Sequence, residues 1–178
     1  MKKICIIILL ILLAGCGSTQ NEPATKELGV LSLDTPTECK ALREGLCIVS
    51  EPGEYLGDGQ TIIINEKPEA QYLEPSTAVE IKIGEWTLIF DPGEGKPFSV
   101  GMTFPNAQLY PQGKGVGMSI ETADKKCDVV EGAFSDDILQ SAEEGGLGKN
   151  PIEVFDIRFT MRCNDQPVVL HGRVKLTW

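Results

Sequence analysis

His171 is the single histidine of the chain, so any serine–histidine nucleophile or histidine-bound metal would have to use it. No G-x-S-x-G, S-x-x-K or H-E-x-x-H motif accompanies it. In strand alternation it opposes the face carrying Leu170 and Val174, which turns it toward solvent. Carboxylate pairs are the next candidates, because a glycosidase needs only two. Asp136-Asp137 and Glu143-Glu144 lie in a polar stretch without aromatic neighbours, where carboxylates are solvated. Gly57-Asp58-Gly59, with Asp91 and Glu94, offers oxygen donors for calcium. EF-hand spacing is missing, and a Gly-Asp-Gly turn has backbone reasons of its own. Gln112-Gly113-Lys114-Gly115 lacks the serine or threonine of a phosphate loop and reads as a turn. The expectation is a protein with no catalytic residue, no metal site and no cofactor.

Aromatic side chains are the remaining chemistry. Tyr55, Tyr72, Trp86, Tyr110 and Trp178 could stack on a sugar ring. Trp86 shares an alternating face with Leu88 and Phe90 and is expected in the core. Tyr55 and Tyr110 sit beside turn signals, and they are the candidate ligand surface.

Of the six cysteines, Cys16 is the most informative. Lys2 and Lys3 precede an unbroken apolar run over residues 4–13. That run is too short for a mature membrane span of about 20 residues and has the length of a signal-peptide core. Leu13-Ala14-Gly15-Cys16 then has the lipobox pattern: an aliphatic residue, two small residues and a cysteine that can carry a thioether-linked diacylglycerol. Residues 1–15 are expected to be removed and Cys16 lipidated, with about 0.8 kcal/mol of membrane affinity per buried CH₂. Gly17 follows Cys16 where aspartate would favour inner-membrane retention, so the outer membrane is favoured if the organism has two. Residues 16–34 form the lipidated N-terminus and a flexible tether, polar and small, with Pro23 inside it and Pro36 just beyond.

Cys5 leaves with the signal. Cys39, Cys47, Cys127 and Cys163 remain, an even number in an oxidising compartment, which predicts two disulfides. Spacing alone leaves three pairings open. Cys39–Cys47 and Cys127–Cys163 are the expected ones. The first would tie a short helix to its own exit; the second would join neighbouring or facing strands. The chain-entropy model gives them about 2.6 and 3.8 kcal/mol.

Composition bounds the partners. Losing Lys2 and Lys3 from the 16 basic side chains leaves 14 against 26 acidic ones, a formal charge of −12. A nucleic-acid partner is excluded by the lack of a basic face, and the acidity serves solubility at a crowded surface.

The elements that must position these residues follow from pattern. Thr35, Pro36 and Glu38 predict a capped helix over residues 36–44, stopped by Gly45. Beyond Cys47, short alternating runs are broken by Gly, Pro and Asp at intervals of roughly ten residues. They comprise residues 61–65; Val79, Ile81 and Ile83; Trp86, Leu88 and Phe90; and Phe98, Val100, Met102 and Phe104. Residues 116–122, 128–134, 155–163 and 168–178 continue the series. Residues 135–151 read as a long polar loop. The expected fold is all-β: an antiparallel sandwich or barrel of about seven to eight strands with one short N-terminal helix, in a single domain over residues 35–178.

From Ser50 onward the chain resembles an uncharacterised β-rich domain of bacterial secreted proteins and lipoproteins. The residues that carry the likeness are EPGEYLGDGQT from Glu51, GEWTLIFDPGEGKPFSVGMTF from Gly84 and AQLYP from Ala107. Cys127 with Gly132 and Phe134, then FDIRFTMRC and HGRVKL, complete it. The resemblance implies a Cys127–Cys163 bridge, a β fold and an extracytoplasmic place, and carries no activity. Lys125, Lys126 and Asp128 stand where the family has small polar residues. The expected function is therefore a lipid-anchored envelope accessory or interaction module that is not an enzyme. It would contact a membrane through its lipid and an envelope protein or glycan through its β domain. A glycan-binding module is the first alternative and a small envelope hydrolase the second.

Overall fold

The computed structural model describes residues 31–73, 77–111, 113–141 and 152–177. Cys16, the signal and most of the tether, Glu143-Glu144 and Trp178 lie outside the described residues. Among the described residues, one 3-10 turn (Thr37–Cys39) precedes ten strands. These are β1 (Gly45–Ser50), β2 (Thr61–Ile64), β3 (Glu69–Tyr72), β4 (Val79–Ile83) and β5 (Trp86–Asp91), followed by β6 (Met102–Leu109), β7 (Gly117–Thr122), β8 (Val130–Ser141), β9 (Ile152–Cys163) and β10 (Leu170–Leu176).

The chain is all-β, as its alternation predicts. The ten strands form one curled mixed sheet, a half-barrel, in the order β2-β1-β10-β9-β8-β6-β7-β5-β4-β3. Neither the two-layer sandwich nor the closed barrel of seven to eight strands is found. Every pairing is antiparallel except the short parallel contact of β6 with β7. Strands β2 and β3 end the sheet and are joined through residues 65–68, and β3 also packs across the interior against β9.

The N-terminal helix is also replaced. Pro36 precedes the 3-10 turn in an extended conformation (ψ 147°) and supplies no side-chain cap, so Thr35 and Glu38 never form their capping box. The Arg173 guanidinium takes the Cys39 and Lys40 carbonyls, both at 3.4 Å, which a continuing α-helix would need for its own bonds. The two expected disulfides are present, Cys39–Cys47 with Cα atoms 5.5 Å apart and Cys127–Cys163 at 5.4 Å. The first ties the turn to β1; the second ties the entry of β8 to the end of β9.

Period-two patterning built the interior where it was clean. Phe155, Ile157, Phe159, Met161 and Cys163 are buried along one face of β9, and Leu170, Val174 and Leu176 along β10. Phe90, Phe98, Phe104, Phe134 and Phe159 interlock with ring centroids 4.8–6.0 Å apart. Two glycines make room on that face. The Cβ that Gly172 lacks would fall on the Phe159 ring, its cross-strand partner, and the one Gly132 lacks would fall on Met118.

Two expectations fail here. The run Phe98, Val100, Met102, Phe104 does not share one buried face: β6 starts only at Met102, while Val100 is 67% and Met102 50% exposed. The stretch expected to be a loop from residue 135 is strand through Ser141, paired with β9 across a bulge between Asp136 and Ile138.

Candidate functional site

The β1–β2 loop, residues 51–60, is the segment most constrained by its own sequence. The buried Glu54 carboxylate accepts the Leu56 N–H at 2.9 Å and the Gly57 N–H at 2.6 Å. The Ser50 hydroxyl accepts the Gly59 N–H at 2.8 Å. Gly57 has Ser50 Oγ only 2.5 Å from where a Cβ would stand, and Gly59 turns at φ +75°. Glu51 accepts the Val169 N–H at 2.9 Å and ties the loop to the start of β10. The turn predicted at Gly57-Asp58-Gly59 thus has backbone causes, and its asparagine-like Asp58 adopts φ 47°.

This loop forms one wall of a cleft at the end of the half-barrel. Asp58, Gln60, Glu85, Trp86, Thr122, Asp124 and Lys125 are among its lining residues, around ≈ 280 Å³. Trp86 is 3% exposed and belongs to the core, as its pattern predicts, forming part of the cleft lining. Lys125 bridges the walls: its ammonium donates to the Tyr55 carbonyl at 3.0 Å and lies 5.9 Å from the centre of the Tyr55 ring. Tyr55 is 38% exposed beside the cleft, within cation–π range of that ammonium.

Tyr110 is elsewhere. Its N–H bonds to the Met118 carbonyl near the start of β7, whereas Lys125 and Thr122 follow and close its other end. At about 3.3 Å per strand residue, the two tyrosines are separated by most of β7 and form no common surface. The calcium set is divided the same way. Asp58 lines the cleft, but Asp91 pairs with Gly117 at the opposite end of β5 and accepts the Gly93 N–H at 2.9 Å. Among the described residues, no three metal-binding side chains converge.

The second chemically unusual place is β8, where the sequence reading expected solvated carboxylates. Asp137 faces outward and is forked by Arg158 with two bonds of 2.7 Å. Asp136 faces the interior, is 0% exposed, and has no hydrogen-bond partner of good geometry on either oxygen. Burial, then the Asp137 charge, pushes its carboxyl up to about 6, while the Ile138 backbone N–H pulls against the shift and the Asp156 charge adds to it. The two carboxylates sit on opposite faces of one strand and cannot flank one bond, as a glycosidase requires.

His171 points to the outer face as its register predicts, and the β9–β10 pairing is continuous through Gly172. It is not solvated there. The ring is half-buried, Nδ1 is enclosed without a partner, and burial holds its pKa below the usual histidine value against the opposing charges of Glu51 and Asp34. The N-terminal segment reaches the same face, where Leu33 gives its carbonyl to Arg158 at 3.2 Å.

No family model, no curated protein and no solved structure matches this chain.

Proposed function

We infer that the chain is a bacterial envelope lipoprotein, cut before Cys16 and held by lipid on that residue. Its β domain works by non-covalent contact, with the Tyr55 cleft as the contact surface. The observation that carries the reading is the cleft itself. It is lined by Asp58, Gln60, Glu85 and Asp124, groups that accept or donate hydrogen bonds to a polar ligand, and the exposed Tyr55 ring adjoins it, 5.9 Å from the lining Lys125 ammonium. Its volume of ≈ 280 Å³ falls just under the roughly 300–1,000 Å³ of drug-sized ligand pockets and suits one side chain or one sugar ring. The two disulfides support an oxidising, extracytoplasmic compartment, and Leu13-Ala14-Gly15-Cys16 supports the anchor.

A photoreactive phenylalanine analogue placed at position 55 of the full chain, in its own envelope, tests the contact. An adduct is expected from position 55 and none from a matched probe at position 110. A protein adduct identifies an interaction module; a sugar adduct identifies the glycan-binding alternative, which the aromatic rim favours. Equal labelling from both positions, or none from 55, overturns the assignment. For the anchor, Cys16→Ser should abolish labelling by a radioactive fatty acid, and full labelling of that variant would sink the lipoprotein reading.

A further inference from the structure

Strand β8 sends adjacent aspartates to opposite faces, and only the outward one finds a cation. Asp136 stands two residues after Phe134 on the inner face of the sheet. Its cross-strand neighbours are Met102 on β6, half-exposed at the start of that strand, and the buried Ile157 on β9, both apolar. The titratable and charged groups around it are few. Asp137 adjoins it on β8; β9 contributes Asp156, already forked by Arg173 on the outer face. Strand β3 contributes Tyr72, whose phenol is pushed up by burial and by the Asp136 charge. Strand β6 contains no charged residue. The backbone at this position is also a junction. The Asp136 carbonyl accepts the Gly101 N–H at 2.6 Å, which hangs the segment entering β6 on this residue.

An ionised carboxylate cannot rest unpartnered in such a place; it must take up a proton or admit water. Of the elements around it, β3 is the easiest to displace: four residues long, at the end of the sheet, hydrogen-bonded to β4 alone. We propose that Asp136 is a proton-operated clasp, with β3 and residues 98–101 closed over the protonated carboxyl and drawn back to admit water when it ionises. With a carboxyl titrating at about 6, the clasp works across mildly acidic to neutral conditions. The sign is fixed by the buried group being an acid: acid closes, alkali opens.

Amide hydrogen exchange of the full chain in detergent, corrected for the intrinsic pH dependence of exchange, reads the motion directly. Protection at residues 70–72 and 101–104 should fall by about tenfold or more between pH 5 and pH 8 while β9 and β10 stay unchanged. Asp136→Asn should keep the low-pH protection at both values. Wild-type protection that ignores pH overturns the clasp. So does a folded Asp136→Asn protein that retains the wild-type pH dependence or exchanges rapidly at both values. Should that variant fail to fold, carbon-13 titration of the wild-type Asp136 carboxyl replaces it. The amide shifts of β3 must then follow the same midpoint, and a different midpoint or no shift rejects the proposal.

Discussion

On the outer face of β8–β10, aspartates and arginines are interleaved. Arg158 and Arg173 stand directly opposite each other, a repulsive pairing, yet each is forked by a carboxylate, Asp137 for one and Asp156 for the other. Those bonds hold both guanidiniums more firmly protonated than usual, against the cost of burial. One residue along on the inner face, Asp136 has phenylalanine, methionine and isoleucine for company and no fork. The difference between the faces teaches what each is for. The outer face binds the N-terminal segment to the sheet through polar bonds to carbonyls. The inner face is a packed apolar interior in which the Asp136 carboxyl is out of place. Five substitutions test this contrast.

The largest effect is expected on the inner face. Gly172→Val places side-chain atoms inside the Phe159 ring, which is buried and packed against Phe90 at 5.6 Å. Overpacking of this kind costs about 3 kcal/mol or more, so a denaturant melt should show a severely destabilised or unfolded chain. A melt within 1 kcal/mol of wild type would mean that the inner face is loose.

Arg173→Ala attacks the outer lattice at its most buried point. Asp156 has a side chain only 5% exposed and would keep Lys175 alone, at 3.3 Å. The Cys39 and Lys40 carbonyls lose their donor in the same step. A loss of about 2–3 kcal/mol is expected, with Arg158→Ala costing less because that pair is about one-third exposed. Equal losses from both variants would show that burial does not rank these pairs.

The contrast also explains which parts of the molecule were legible in the sequence. Where one face is buried and the other polar, as over Phe155, Ile157, Phe159 and Met161, alternation assigned strand and face together. Strand β3 reads Glu-Ala-Gln-Tyr and carries little apolar signal, because an edge strand buries little. The second half of β8 reads as a loop because its serine and aspartates are polar, although Ser135 and Asp136 are both buried. Its one available clue was period: Val130, Gly132 and Phe134 place residue 136 on the inner face. Both disulfide pairings were expected and are present, although the helix that motivated Cys39–Cys47 is not formed, since its competitor for the carbonyls, Arg173, lies far away in sequence. Tyr55 stood out beside its turn; Lys125, which bonds its backbone carbonyl, is remote in sequence.

Asp136→Asn is expected to matter in one pH range only. The folded carboxyl titrates at about 6, above its ordinary value of 3.8, so the fold binds the proton more tightly than the unfolded chain does. The contribution of Asp136 to wild-type stability is therefore fully present below about pH 4 and is lost as pH rises to about 6, by at most about 3 kcal/mol. The asparagine variant should lose that decline and, allowing for an unpaired amide, be about 1–2 kcal/mol more stable than wild type at pH 8. Melts across pH 4–8 in which the two proteins run parallel would remove the electrostatic contrast between the faces.

The smallest effect belongs to His171, and its sign opposes that of Asp136. The sequence placed this ring on a wet face, where substitution costs within about 0.5 kcal/mol. It is instead half-buried with Nδ1 enclosed, so His171→Gln should cost up to about 1 kcal/mol at pH 8, where the imidazole is neutral in both states. Burial lowers its folded pKa below the ordinary 6.5. A lowered histidine pKa means that the unfolded chain takes the proton first, so wild-type stability contributed by neutral His171 is present above pH 6.5 and is lost as pH falls through that value. Glutamine carries no such loss, and the difference between variant and wild type should shrink or reverse by pH 5. The double variant with Asp136→Asn should then show neither slope, because the acid inside and the histidine outside titrate on opposite faces of the sheet. A difference for His171→Gln that widens as pH falls would mean that the imidazolium is favoured in the fold. The outer face beneath the N-terminal segment would then be more strongly anionic than its paired carboxylates imply.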